Sequence, residues 1–75
     1  MATDTAIEVI SIAAQQLGLE ESSLSLETRL DDIFTDSLEY LEFTLELREL
    51  GHLSDEAIAN SETLGDLANA IVHPN

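Results

Sequence analysis

The tripeptide Asp36-Ser37-Leu38 stands at the head of a segment that alternates acidic and apolar residues, and it is the part of the chain best suited to chemistry. An aspartate directly before a serine at a helix start makes the aspartate the N-cap and the serine the first helical residue. The serine hydroxyl is then expected in water, beside first-turn amides that have no partner within the helix. Those amides and the helix dipole favour an anion, so the hydroxyl suits modification by a phosphate-containing group better than burial. The carboxylates of Asp36 and Glu39 would oppose that anion, and could hold a divalent ion during attachment. Taken alone the tripeptide is weak, because a serine at a helix start is most often only a capping residue. Its setting strengthens it.

The helix behind the serine has more apolar surface than one core can use. At about 100° per residue, Tyr40, Phe43, Leu47 and Leu50 share one side, and Leu38, Leu41 and Leu45 lie nearly opposite. One apolar face suffices to join a bundle, and the aromatic-containing face is the expected core side. Leu38, Leu41 and Leu45 are then left exposed, unless the 19–35 connection covers Leu41. Glu39, Glu42, Glu46 and Glu49 form a stripe beside them. Like charges three and four residues apart each cost roughly 0.2–0.5 kcal/mol. No lysine relieves the stripe, and Arg48 is on a different side. A charge run is ordinarily a solvated face; one that borders surplus leucines next to an exposed serine reads as a docking face for a partner's basic patch.

The rest of the chain must position this helix. A first helix is predicted to Leu17, capped by Thr3 or Asp4, with the stripe Ala6, Ile7, Ile10, Ala13, Ala14, Leu17 and a stop at Gly18. Residues 19–35 form a long connection pinned by Leu19, Leu24, Leu26, Leu30 and Ile33, with one helical turn near 29–33. The second helix runs from Ser37 to about Leu50, before Gly51. A short helix covers roughly 55–60, opened by Ser54 or Asp55. A last helix capped by Ser61 runs to about Val72, with the stripe Leu64, Leu67, Ala68, Ile71, and Pro74 ends the helical potential. The expected fold is all-α: a small four-helix bundle with three longer helices and one short one, in a single domain over 1–75.

Composition agrees. The chain has 75 residues, 44% of them hydrophobic, too many for a disordered acidic tail. Only Phe34, Tyr40 and Phe43 are aromatic, so the core is largely aliphatic. Its net stability should be about 3–5 kcal/mol. There is no cysteine, which excludes disulfides and thiolate metal sites. Sixteen acidic residues against Arg29 and Arg48 give a net charge of −14 and argue against nucleic acid and anionic membranes as partners. The start, Met1-Ala2-Thr3-Asp4, lacks signal-peptide features, and no apolar run approaches the roughly 18 residues of a membrane span, so a cytoplasmic monomer without membrane insertion is expected. His52 and His73 are too few and scattered for a metal site. A Ser37–His52 triad is rejected, since the two lie at opposite ends of one helix, roughly 20 Å apart. Asp31, Asp32 and Asp36 lack the glycine and alternating oxygens of an EF-hand loop.

The run Leu30-Asp31-Asp32-Ile33-Phe34-Thr35-Asp36-Ser37-Leu38, followed by Glu39, Leu41, Glu42 and Leu45, resembles the acyl carrier protein family. Gln16-Leu17-Gly18-Leu19 upstream, and Thr63-Leu64 with Leu67 and Ile71 downstream, extend the resemblance over nearly the whole chain. The resemblance implies that a phosphopantetheinyl transferase moves 4′-phosphopantetheine from coenzyme A to Ser37, flanked by Asp36 and Leu38. It also implies that the arm's thiol carries acyl groups as thioesters to acyl-transferring and acyl-modifying enzymes, while the chain itself catalyses nothing. It places Leu38, Leu41, Leu45 and the flanking acids on the partner-facing side and Tyr40, Phe43 and Leu47 inside, in a bundle whose interior can shelter an acyl chain. Two departures stand out. Phe34 occupies a position where the family usually has glycine, so the ring is expected to alter the loop or pack over the arm. Gly51-His52-Leu53-Ser54 lacks the Phe and Pro often found there. These weaken the reading as the housekeeping carrier of fatty acid synthesis and leave a specialised carrier open. The rival readings are a carrier of aminoacyl or peptidyl groups on the same arm, and a cofactor-free acidic adaptor for a basic partner.

Overall fold

The computed structural model describes residues 4–73. Helix α1 (Asp4–Leu17) is followed by a 3-10 turn at Glu21–Ser23, a one-turn helix α2 (Leu30–Ile33), α3 (Ser37–Leu47), α4 (Asp55–Asn60) and α5 (Leu64–Ala70). The alternative first cap, Thr3, and the terminator Pro74 lie outside the described residues. Helix α1 packs on α5 and α3, and α4 packs on α5. The core holds Val9, Phe43, Leu47, Leu64 and Leu67 fully buried, with Ala6, Ala13, Leu30, Phe34, Leu53 and Ile71 around them.

The helix ends follow their residues. Gly18 takes φ +68°, which a side chain disfavours, and Leu19 N–H reaches Ala14 O at 2.9 Å to close α1. Val9 belongs to the buried face of α1, whereas Ile7, expected there, is exposed. The buried set is Ala6, Val9, Ala13 and Ala14, so three residues of the predicted stripe are buried and Val9 shifts the buried face to one side of it. Leu24, Leu26 and Ile33 do pin the connection to the core, and Leu19 does not; it is exposed.

Helix α3 ends at Leu47 rather than near Leu50. Beyond it, Glu49 N–H bonds to Glu46 O at 3.1 Å and Leu50 N–H to Leu47 O at 3.0 Å, so the last turn tightens to i→i+3 bonding. Gly51 does not adopt a left-handed conformation; it is small because a Cβ there would lie 2.7 Å from Val72 O and 2.9 Å from Ile71 Cγ2. That close approach accompanies a two-way backbone bridge between His52 and Val72, with N···O distances of 2.7 and 2.8 Å. The bridge straightens the chain at Ile71, so α5 stops at Ala70 instead of reaching Val72.

Ser54 caps α4, accepting from Ala57 N–H at 3.1 Å. Ser61 does not cap α5. It closes α4, donating to Ala57 O at 2.7 Å. The α5 cap is Thr63, whose Oγ1 accepts from Asp66 N–H at 3.1 Å while Asp66 Oδ2 accepts from the Glu62 and Thr63 amides. This reciprocal box holds the Asp66 carboxyl below the ordinary aspartate range, chiefly through the two backbone donors. An antiparallel bridge between Arg29 and Thr63, with Leu30 N–H on Glu62 O at 2.9 Å, then ties α2 to the start of α5. That strap sets α2, and with it the loop into α3, against the rest of the bundle.

Candidate functional site

The start of α3 is fixed by Asp36. Its Oδ1 accepts from Leu38 N–H at 2.8 Å, and its carbonyl takes the first helical bond, from Tyr40 N–H at 3.1 Å. Ser37 follows as the first helical residue, exposed, with no hydrogen-bond partner for its hydroxyl among the described residues. A hydroxyl in water, at the positive end of an eleven-residue helix, has what a phosphodiester link requires: access for another enzyme's active site and amides that favour the anion.

The two faces of α3 separate as their residues dictate. Phe43 and Leu47 are fully buried, and Tyr40 and Leu50 are half-buried. Leu38, Leu41 and Leu45 are 59%, 53% and 51% exposed, so the 19–35 connection does not cover Leu41. Glu39 is half-buried, and Glu42, Glu46 and Glu49 are exposed. Glu49 stands in the tightened turn after α3, beyond the regular register of the other three. Arg48 turns away from this stripe to pair with Asp55 at the start of α4. Thr44 was not foreseen as buried. Its hydroxyl is satisfied by donating to Leu41 O at 2.9 Å, an i−3 bond that the residue pattern does not announce.

Beside Ser37 lies an open depression of about 390 Å³, lined by Leu30, Phe34, Tyr40, Ile58 and Ser61 among others. Sequence reasoning missed Leu30, Ile58 and Ser61 here, because only the packing of α2 and of the α4 segment beside α3 brings them together. Tyr40 bridges the two sides: its hydroxyl donates a long bond, 3.5 Å, to Ile58 O. Burial, and then the nearby charge of Asp31, push the Tyr40 phenol above its ordinary value, which keeps it a donor. Phe34 leaves Ser37 exposed. Its φ of −111° is open to any residue, and its buried ring stacks on Phe43 with centroids 4.7 Å apart.

The chain matches the family described as phosphopantetheine attachment site over residues 8–71. It is 31% identical over 68 residues to the acyl carrier protein of Exiguobacterium sibiricum, covering 87% of this chain and 86% of that one. The chain belongs to the acyl carrier protein family. No solved structure gives a significant match. This carrier protein therefore bears a covalently attached 4′-phosphopantetheine, and carriers of its kind work with phosphopantetheinyl transferases and acyl-handling enzymes. Among the described residues no helix is long and apolar enough to cross a membrane.

Proposed function

We propose that Ser37 is the attachment residue and that the chain, as one domain over 1–75, presents acyl thioesters to partner enzymes of fatty acid, polyketide or lipid biosynthesis, with a specialised rather than housekeeping role. The observation that carries this reading is the exposed, unpartnered Ser37 hydroxyl at the capped start of α3. Ser37 Oγ would become the ester oxygen of the phosphodiester as its proton and the nucleotide part of coenzyme A depart, with the start of α3 favouring the anion and Asp36, on the Leu38 amide, holding that start in place. When bound, the arm supplies the thiol on which acyl groups travel. The radius of gyration, 11.2 Å, is what a single compact domain of this length has, about 11 Å.

Leu38, Leu41 and Leu45 supply apolar contact for a partner, and Glu39, Glu42, Glu46 and Glu49 supply attraction for its Lys/Arg patch, in a cytoplasmic monomer with no catalysis of its own. The strong acidity and the acyl carrier relative favour acyl over aminoacyl cargo. Incubation with coenzyme A and a phosphopantetheinyl transferase, followed by intact-mass measurement, tests the assignment. The wild type should gain one arm and Ser37→Ala none. Equal gain by Ser37→Ala would move the attachment elsewhere.

A further inference from the structure

Phe34 stands three residues before Ser37, and its ring goes into the bundle. It stacks on Phe43 at an interplanar angle of 24° and lies 5.5 Å from the Tyr40 ring. Phe43 is fully buried and shares the core with Leu47, Leu64 and Leu67. The depression beside Ser37 meets Phe34 and Tyr40, and none of those four core residues contributes to its lining. An apolar chain tethered at Ser37 therefore meets Leu30 and the Phe34 and Tyr40 rings before it meets Phe43, Leu47, Leu64 and Leu67.

We infer that Phe34 is a specificity-determining residue that holds cargo outside the bundle, in the depression bounded by Leu30, Tyr40 and Ile58, and so favours short or polar acyl groups over long apolar ones. The inference rests on Ser37 bearing the arm. Magnitudes support it. Burying a Phe side chain is worth about as much as burying two to four methylenes. To enter, a chain must turn that ring out of a stacked, close-packed site, and the space it gains is about that of the ring. Entry exchanges one buried apolar group for another of similar size, so nothing drives it.

The test uses the full-length holo protein, with Leu and Ile methyl groups isotopically labelled and the arm loaded with octanoate. Peptide mapping first establishes which residue carries the arm. NMR spectra of the holo and octanoyl forms should then show the methyls of Leu47, Leu64 and Leu67 unmoved and those of Leu30 and Ile58 shifted. Hydroxylamine should cleave the thioester at a rate within about twofold of free octanoyl-pantetheine, whereas a chain buried nine-tenths of the time would be slowed about tenfold. In Phe34→Ala the core methyls should respond to the octanoyl group and cleavage should slow. The wild type alone can refute the inference if that variant does not fold: core methyl shifts and tenfold protection with the arm on Ser37 would overturn it. An arm mapped to another residue would overturn the attachment reading instead.

Discussion

Phe43→Ala is the substitution that tests the assignment of the two faces of α3 most severely. The ring is fully buried, stacks on Phe34 and shares the core cluster with Leu47, Leu64, Leu67 and Val9. Removing it deletes the apolar contact and leaves a cavity that small aliphatic neighbours fill only in part, a loss of about 3–5 kcal/mol. At 0.05–0.15 kcal/mol per residue a chain of this length has a total stability of about 4–11 kcal/mol, and cores this small fall at the low end. The variant should therefore be substantially unfolded without denaturant. The chain has no tryptophan, so urea titration followed by far-ultraviolet circular dichroism is the appropriate assay. Wild type should give one cooperative transition, and Phe43→Ala a truncated one that begins near zero urea. Leu45→Ala, on the exposed face of the same helix, is the control and should stay within about 0.5 kcal/mol of wild type. A loss below about 1 kcal/mol at Phe43, or an equal loss at Leu45, would refute the reasoning.

Glu42→Lys with Glu46→Lys should weaken binding to the phosphopantetheinyl transferase, most at low salt, while α3 becomes as stable or slightly more so; affinity unchanged at low and high salt would remove the docking face. Thr63→Ala, which breaks the α5 capping box, should cost about 1 kcal/mol by urea titration. Because the Asp66 carboxyl is held below the ordinary 3.8, its contribution to stability is present above that value and disappears as pH falls through the lowered one. Asp66→Asn should therefore flatten the acid limb of a stability-versus-pH curve, and an unchanged limb would deny the box that role.

Where a residue's role is set within one turn of its neighbours, it was readable from the chain. Asp36 as cap, Ser37 as first helical residue, Gly18 as terminator, the α4 cap narrowed to Ser54 or Asp55, and the inward side of α3 are all of this kind. The one-turn helix at 30–33 was also signalled by the leucines around it. What was not readable depends on contacts between segments far apart. Ser61 and Thr63 are both good caps, and only the Arg29–Thr63 bridge and Asp66 decide between them. Gly51 looked like a helix terminator, but its smallness serves the approach of Val72, twenty-one residues on. Phe34 was legible as a departure from the family's glycine, while its direction, into the core and onto Phe43, required the fold. The depression beside Ser37 is assembled from α2, α3 and α4 and has no local signature.

The charge of this carrier sits uneasily with the size of its core. The acidic stripe on α3 costs a few tenths of a kcal/mol for each like-charged pair, in a domain whose margin is only several. Of the two arginines, Arg48 is committed to Asp55 at an exposed site, where such a pair contributes about 0–1 kcal/mol, so it does little to offset the stripe. Local stability alone would favour a lysine at position 42 or 46. A basic partner seated on the exposed leucines would neutralise the stripe from outside, so the unfavourable interactions of the free chain would become binding energy in the complex. On this argument the isolated carrier holds its unfavourable charge pairs on the very helix that a partner would cover, and screening by salt and occupation by a basic protein should act on α3 in the same direction.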